Sequence, residues 1–352
     1  MNAKLSEFVK SKFPDSKSDL FACFIEKCGQ LAKPHGFYAM ITQHAFMFLS
    51  SYENLRRKLM LKTTVNMAHL GARAFDEIGG EVVQTTAFVM TGHIKDYKGT
   101  YARLVDTVGE NEKRDLFLSG DKRFAAKQEN FSKIPGMPVA YWVSENFIRA
   151  FERGISIDSI SDFTGSQHIT ANNDKYLRLH WEIDANKVGM GKKWVYYAKG
   201  GDFRKWYGNI ELVVDWSEGA VQYYKTNSTS NLLAEKYRFK EGITYTELTS
   251  SVNTFRYLPP VCIFDKKGPS IVSVKKLWYC LGIFGTKIAP LYFAILNPTL
   301  STQVRDVKNL PIIVNGEIEP KIDEIVKENV EICKQDWNDF ETSWGFEKHP
   351  LI

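Results

Sequence analysis

The order of helical and extended segments in the first hundred residues constrains the fold of this chain most. Apolar residues recur with helical spacing from Ser18 to Lys33, where Ser18 or Asp19 can act as the N-cap, and Pro34-His35-Gly36 ends the run. Further along we predict a strand at 36–42, a helix at 51–61, a strand at 65–70, a loop at 71–80 and a strand at 81–90. This alternation is typical of an α/β fold and predicts the second half of a doubly wound, Rossmann-like sheet.

Several segments of this region match motifs of a known family. They are Asp19–Lys27, Leu31–Gly36, Ala39–Thr42, His69–Gly71, Phe75 and the stretch from Val82 to Val89. Together they are similar to the later motifs of N6-adenine DNA methyltransferases of the Taq type. Longer segments, Ser16–Phe21 and Phe48–Glu53, resemble the methyltransferases of bacterial BREX type 1 phage-defence systems, the PglX family. The resemblance extends over nearly the whole chain, and no single motif carries it.

The resemblance implies adenine-N6 methylation of DNA in phage defence, with S-adenosylmethionine as the methyl donor. Family members bind this cofactor through a glycine-rich turn and hold the target amino group with an Asn-Pro-Pro-Tyr motif. We find neither in this sequence: Asn297-Pro298 lacks the second proline and the aromatic residue, and Leu258-Pro259-Pro260-Val261 lacks the asparagine. We therefore expect a fragment that supplies DNA recognition and part of the target-base pocket and is inactive alone.

Four residues of the first region acquire candidate roles. By resemblance, Phe75 aligns with the aromatic residue that stacks on the flipped adenine, and a core phenylalanine is the alternative. Asp19 matches a position on the cofactor side and Phe21 a position near the target base; the alternatives are a helix cap and a core aromatic residue. His44 follows a predicted strand, where α/β proteins place ligand-binding loops, so it is a candidate for the pocket wall or a structural histidine.

The composition changes from Tyr141-Trp142 onward, where aromatic residues and β-formers dominate and Gly, Asn and Asp interrupt them. Candidate strands are 194–198, 211–215, 221–225 and 261–264. The stretch from Ile283-Phe284-Gly285-Thr286 through Asn297-Pro298-Thr299 to Leu310-Pro311-Ile312 resembles the closing element of DNA target-recognition domains. We therefore predict a catalytic half-domain at 1–105, a charged and roughly helical connector at 106–140, an α+β target-recognition domain at 141–315 and a C-terminal helix at 316–352.

The segment Lys199–Asn209 combines three cations, three aromatic residues and three glycines in eleven residues. Cations can contact phosphates or base edges and planar rings can stack on bases, so the segment predicts a DNA-binding surface. The candidates are Lys199, Arg204, Lys205, Trp206, Tyr207 and Asn209, together with Arg256 of the similar segment Asn253–Tyr257. The alternatives are a solubilising face for the cations and core packing for one of the two adjacent aromatic residues, because strand neighbours face opposite ways.

Charge and cysteine content bound the remaining possibilities. A net charge of +5 is compatible with DNA binding without requiring it. The five cysteines form no Cys-x-x-Cys pair, which disfavours a zinc site, and their odd number and the lack of a signal-peptide pattern favour a reducing cytoplasm. No apolar run has the length of a membrane span.

The expected partners are double-stranded DNA and, by resemblance, other BREX components. Two rival functions stay open. One is a non-catalytic DNA-binding module like a restriction-modification specificity subunit. The other is a protein-interaction scaffold inside the defence complex.

Overall fold

The computed structural model describes residues 1–75, 83–163, 167–248, 252–297 and 302–352. The predicted loop beyond Phe75, with Gly79-Gly80, and the pair Pro298-Thr299 lie outside these residues. The chain forms two compact units: Met1–Glu152 with Ile295–Pro298, and Arg153–Ala294 with Thr299–Ile352. Each unit is described by itself. The domain limits drawn from the sequence remain predictions.

The first unit is built on a five-stranded sheet. Its strands are β1 (Phe37–Gln43), β2 (Thr63–Gly71), β3 (Thr85–Thr91), β4 (Lys98–Arg103) and β5 (Arg123–Lys127). Its helices are α1 (Ala3–Lys12), α2 (Leu20–Leu31), α3 (Glu53–Leu59), α4 (Glu110–Ser119), α5 (Glu129–Ser132) and α6 (Glu145–Arg153).

The strand order of this sheet is β1-β3-β2-β4-β5. Strand β3 runs antiparallel to both β1 and β2, so β1 and β2 are parallel to each other, and α3 lies between them in the chain. Strand β2 pairs with β4 in parallel and β4 pairs with β5 antiparallel. The prediction of an α/β first region is therefore confirmed at the level of a mixed sheet with connecting helices.

One face of the sheet carries the core of the first unit. Because successive strand residues point to opposite faces, Tyr38 of β1, Phe88 of β3 and Tyr101 of β4 share the face covered by α2 and α3. Helix α2 contributes Ile25 to this core, and full burial of such a side chain stabilises by about 1.5–3 kcal/mol.

The region predicted as a charged, roughly helical connector is helical in α4 and α5 only. Between them, Arg123–Lys127 forms β5, and Phe124 stands opposite Tyr101 of β4. The sheet of the first unit thus continues beyond residue 105. A single charged strand on the sheet edge has weak periodicity, which is why the pattern of apolar residues did not indicate it.

The second unit contains three small sheets within the described residues, of order β13-β9-β10-β8, β12-β11-β14-β7 and β15-β6. Their strands are β6 (Ile155–Ser156), β7 (Asp162–Phe163), β8 (Leu177–Leu179), β9 (Trp194–Ala198), β10 (Leu212–Asp215), β11 (Gly242–Tyr245), β12 (Phe255–Leu258), β13 (Cys262–Phe264), β14 (Ser270–Val272) and β15 (Pro311–Ile312). Its helices are α7 (Asn173–Tyr176), α8 (Glu218–Thr226), α9 (Leu277–Gly285), α10 (Ala289–Leu296), α11 (Val304–Lys308) and α12 (Glu319–Asn338).

Three of the four strands predicted in this unit are confirmed as β9, β10 and β13, and the fourth is wrong. Residues 221–225 lie in α8. Ser217 caps this helix by accepting a hydrogen bond from the backbone N–H of Ala220, and Ala220 and Tyr224 are buried one turn apart. The cap and the helical spacing outweigh the β-preference of the short Val-Gln-Tyr-Tyr run.

Helices α9 and α10 form the most apolar stretch. Among the described residues no single helix is long and apolar enough to cross a membrane; the two together have that length and composition but meet at an 80° bend. The predicted C-terminal helix is present as α12, which ends at Asn338.

Candidate functional sites

Two histidines meet at the carboxyl ends of two parallel strands in the first unit, on either side of β3. His44 follows β1 and His69 lies near the end of β2, and their Nδ1 and Nε2 atoms are 2.8 Å apart. The other ring nitrogen of His69, Nδ1, lies 3.1 Å from the hydroxyl of Tyr141. The three side chains therefore form a continuous polar chain.

Burial controls the ionisation of the three side chains in this polar chain. Desolvation lowers the pKa of His44 to about 4 and that of His69 to about 3, and for His69 the charges of His44, Arg103 and Lys113 add to the effect. Burial also raises the pKa of Tyr141. Both imidazoles are neutral at physiological pH, so each ring has one N–H donor and one acceptor nitrogen.

Aromatic rings hold the polar chain in place. Tyr141 is stacked on Tyr101, with ring centroids 4.7 Å apart, and Phe48 lies 5.9 Å from the ring of His69. The guanidinium of Arg103 lies 5.0 Å from the ring of Trp142, which packs edge-on against Tyr141. The apolar shell explains why the histidines stay uncharged.

The other predicted residues of this region differ in exposure. Phe75 follows β2 and is 39% exposed. Phe21 is half-buried, and its ring packs edge-on against Tyr52 at 5.5 Å. The carboxylate of Asp19 accepts a hydrogen bond from the backbone N–H of Phe21 and caps α2. Phe21 and Asp19 therefore have structural roles here, whereas Phe75 presents its ring to solvent.

In the second unit, Lys199–Asn209 is a loop between β9 and β10 rather than a strand. Gly200 has φ +84° and a side chain there would lie 2.9 Å from the carbonyl oxygen of Lys267. Asn209, itself at φ +62°, donates a hydrogen bond from Nδ2 to the carbonyl oxygen of Asp202 at 2.8 Å and closes the loop. The glycines are needed for the backbone path, as is usual where a chain turns tightly.

Part of the loop is held against two helices. Arg204 forms an ion pair of 3.2 Å with Asp336 of α12, and its guanidinium lies 4.6 Å from the centroid of the Trp337 ring. Lys205 is exposed and donates to the carbonyl oxygen of Gly285 at 3.2 Å. Trp206 is half-buried against the end of α9, close to Gly285.

Of the three remaining DNA-binding candidates, Lys199 is half-buried and the other two are buried. Tyr207 is 4% exposed, which confirms that one of the adjacent aromatic residues is in the core. Arg256 is 1% exposed; its Nη1 donates to the carbonyl oxygen of Arg204 at 3.3 Å and its Nη2 to the hydroxyl of Thr246 at 3.2 Å. Burial lowers the pKa of Arg256 to about 10. Its guanidinium braces the loop from inside and does not reach the surface.

Sequence reasoning singled out His44 but missed the roles of His69 and Tyr141. No local pattern joins them, because His69 and Tyr141 are 72 residues apart. The available signal was that His44 and His69 both stand at the carboxyl ends of predicted strands. Among the residues that the structure describes, no group of three or more His, Cys, Asp or Glu side chains is placed to hold a metal ion.

Comparisons with known proteins agree on one kind of enzyme. The Eco57I restriction-modification methylase family matches residues 1–72. The whole chain is 36% identical over 378 residues to the adenine-specific methyltransferase PglX of Lacticaseibacillus casei (strain Zhang), of which it spans 31%. It is 38% identical over 364 residues to the adenine-specific methyltransferase BrxX of Escherichia coli O9:H4 (strain HS), of which it spans 29%.

A solved structure shares the fold. The Type IIL restriction-modification enzyme MmeI, in complex with DNA, matches 95% of this chain with 48% of its own, at a TM-score of 0.61 and 11% identity. At that identity the likeness concerns the fold alone. Over its whole length the chain is similar to the PglX and BrxX adenine-specific methyltransferases, of which it spans less than a third, and the resemblance predicted from the sequence is confirmed.

Proposed function

We propose that this chain is part of a site-specific DNA adenine-N6 methyltransferase of a BREX-type phage-defence system. In this proposal it supplies DNA recognition and part of the target-base pocket, and it is inactive without the rest of the protein. The observation that carries the proposal is identity of 36% and 38% with two adenine-specific methyltransferases across all of this chain. Because the chain spans only 31% and 29% of them, the activity belongs to the longer protein.

The topology of the first sheet supports a catalytic role. Strands β1 and β2 run parallel, with α3 between them in the chain, and β3 is inserted antiparallel between them. We interpret this arrangement as the closing half of a Rossmann-like methyltransferase sheet. In such sheets the binding crevice lies outside the carboxyl ends of the parallel strands, which is where His44 and His69 lie.

The described residues do not fit a complete S-adenosylmethionine site. Asp19, the residue expected on the cofactor side, already caps α2 with its carboxylate. The cavity on the first sheet is lined mainly by apolar side chains such as Ala39, Ile41 and Ala87, which cannot hold a ribose and an amino acid group. We therefore propose cofactor use for the longer protein and derive no step from it.

A target-base pocket is the role we propose for the polar chain and Phe75. An enzyme that acts on an adenine inside a duplex must extrude it and replace its lost stacking. Phe75 is the exposed ring nearest in sequence to the end of β2. The neutral His44 is half-buried at the end of β1, so it can give or accept a hydrogen bond without the cost of burying a charge.

DNA contact is the role we propose for the exposed part of Lys199–Asn209. The exposed Lys205 and the half-buried Lys199 are the candidates for phosphate contacts, and Trp206, which follows Lys205, presents a half-buried ring. Arg204 holds the loop to α12, while Tyr207 and Arg256 support it from the core, so we leave these three out of the contacting set. The complex of MmeI with DNA supports DNA as the partner.

A chimera tests the proposal. The chain would replace the matching region of the L. casei PglX, and N6-methyladenine formation on plasmid DNA would be measured by mass spectrometry of nucleosides. We expect methylation by the chimera and none by the isolated chain. Methylation by the isolated chain, or DNA binding by a folded chimera with no methylation, would contradict it; the second outcome favours a non-catalytic DNA-binding module.

A further inference from the structure

The hydrogen bonds of the polar chain have a starting point at Arg103. This side chain hydrogen-bonds to the hydroxyl of Tyr141, and because a guanidinium has only N–H groups, the phenolic oxygen is the acceptor. Two neighbours hold the guanidinium in place: Nε lies 3.4 Å from the carboxylate of Asp106, and Cζ lies 5.0 Å from the centroid of the Trp142 ring. The polar chain therefore begins at a group that can only donate.

The hydroxyl proton of Tyr141 decides the tautomer of His69. Tyr141 is 3% exposed, and among the described residues its hydroxyl has two hydrogen-bond partners, Arg103 and Nδ1 of His69 at 3.1 Å. A buried hydroxyl proton without an acceptor is unfavourable, so it is donated to Nδ1. Nδ1 of His69 therefore has the lone pair, and Nε2 has the hydrogen.

The tautomer of His44 follows in the same way. Nε2–H of His69 donates to Nδ1 of His44 across 2.8 Å. Burial lowers the pKa of His44 to about 4 and that of His69 to about 3, so each neutral ring has one hydrogen, and that of His44 is on Nε2. The reverse order would leave the proton of Tyr141 without an acceptor and would turn the N–H of His69 toward the charge of Arg103.

Nε2 of His44 is the free end of the polar chain. Among the residues that the structure describes it has no hydrogen-bond partner, and it is not one of the unpaired side-chain atoms that are fully buried. The ring is held by Phe48, with centroids 5.6 Å apart, and the backbone N–H of His44 donates to the carbonyl oxygen of Gln84 at 2.9 Å. A fixed ring thus presents an N–H donor at the carboxyl ends of β1 and β2.

We propose that His44 donates Nε2–H to a ring nitrogen of the extruded adenine, and that His69, Tyr141 and Arg103 are positioning residues that fix this tautomer. The inference rests on the proposed function for the identity of the ligand and not for the direction of the hydrogen bonds. The ring nitrogens of adenine accept hydrogen bonds, whereas its amino group has hydrogens of its own. A donor at His44 therefore binds the ring edge and leaves the amino group free to react.

The histidine tautomers of the chain test the direction of the hydrogen bonds. Its seven histidines would be labelled with ¹⁵N, and the ring signals assigned with His44→Gln and His69→Gln. We expect the hydrogen on Nε2 in both rings. Tyr141→Phe keeps the aromatic ring but removes the hydroxyl, so the hydrogen of His69 should be distributed over both nitrogens, whereas Tyr97→Phe, at an exposed position, should change neither ring. A hydrogen on Nδ1 of His44 in the wild-type chain would overturn the proposal.

Base analogues test the ligand in the chimera with L. casei PglX. Duplexes of the site methylated in the plasmid assay would contain 1-deaza-, 3-deaza- or 7-deazaadenine at the target position, so that each lacks one ring acceptor. With one of the three, kcat/KM of the wild-type chimera should fall about tenfold, and the His44→Phe chimera should show no such further loss with that analogue.

Equal losses with every analogue in the wild-type and His44→Phe chimeras would overturn the proposal. A chimera that methylates no duplex contradicts the proposed function instead, and the tautomers measured in the chain distinguish that failure from a failure of this inference.

Discussion

The imidazole rings of His44 and His69 meet across β3, with Nδ1 and Nε2 2.8 Å apart. Thr86 of β3 stands opposite Thr42 of β1 on one side and opposite His69 of β2 on the other. The backbone N–H of His44 also donates to the carbonyl oxygen of Gln84 at 2.9 Å. The contact therefore ties together the ends of two parallel strands that are not themselves neighbours, and it requires complementary tautomers of two neutral rings.

Acid should destabilise the first unit through this pair. In the unfolded chain both histidines take up protons near pH 6.5, but in the folded chain their pKa values are lowered to about 4 and about 3. Stability is thus complete above about pH 6.5 and falls as the pH drops toward 4, by up to about 1.4 kcal/mol per pH unit for each histidine. Hydrogen exchange of the backbone amides in β2 and β3, followed from pH 7 to pH 5, measures this loss of stability.

The control for this prediction is the double variant His44→Gln/His69→Gln. Its first unit should show a flatter dependence over the same pH range. His168 of the second unit also has a pKa lowered to about 3 by burial, so exchange of β9 should keep its pH dependence in the variant. An unchanged slope in β2 and β3 of the variant would show that the pair is not the cause.

Gly285 should tolerate no side chain. A Cβ there would lie 2.2 Å from the ring of Trp206, so Gly285→Ala must displace the indole and should lower the free energy of unfolding by roughly 1–3 kcal/mol. Gly219 in α8 is the matched control: no atom lies within 4 Å of its Cβ position, and Gly219→Ala should stabilise by about 0.4–1 kcal/mol. Urea denaturation of both variants measures these changes in the free energy of unfolding, which should have opposite signs.

Removing Lys199 and Lys205 should weaken DNA binding in a salt-dependent way. Each phosphate contact contributes about 0.9 to the slope of log affinity against log salt, so Lys199→Ala/Lys205→Ala should lower the slope by about 1.8. Lys321→Ala serves as the control, because this exposed lysine of α12 lies outside the loop and its loss should leave the slope unchanged. Fluorescence anisotropy with a labelled duplex gives both slopes. Wild-type slopes for the lysine variant would remove the loop from the DNA interface.

Phe75 should matter for methylation and little for stability. Its ring is 39% exposed, so Phe75→Ala in the chimera should cost far less than the roughly 3–5 kcal/mol typical of a buried phenylalanine. Stacking on an unpaired base is worth about 1–3 kcal/mol, so the methylation rate should fall, and Phe75→Trp should restore it. Phe24→Ala is the control: this residue lies at an exposed position of α2, and its replacement should have no effect on the methylation rate. A large loss of melting temperature in Phe75→Ala would instead make it a core residue.

The sequence predicts best where one segment decides its own structure. Asp19, the helical apolar spacing and Pro34-His35-Gly36 define α2 and the start of β1 almost to the residue. The prediction of a strand at 221–225 is wrong because it weighs the β-like composition of that short run and not the helix cap at Ser217. Strand β5 is not predicted because a charged edge strand has no apolar periodicity.

The features that the sequence does not predict depend on contacts between residues that are distant in the chain. Arg256 has the charge of a DNA-binding residue, but only its place under the loop of Arg204 shows that the charge is buried. The meeting of His44, His69 and Tyr141 likewise depends on strand register, and register is set by the whole sheet.

The position of β3 has a consequence for synthesis. It is the last of the first three strands to be made, yet it lies between the other two. Until Thr85–Thr91 has emerged from the ribosome, β1 has no strand partner in the described part of this chain and the inner edge of β2 stays unpaired. Nascent chains halted before residue 85 should therefore bind chaperones and be cut by protease within β1, whereas chains that present β3 become resistant in one step.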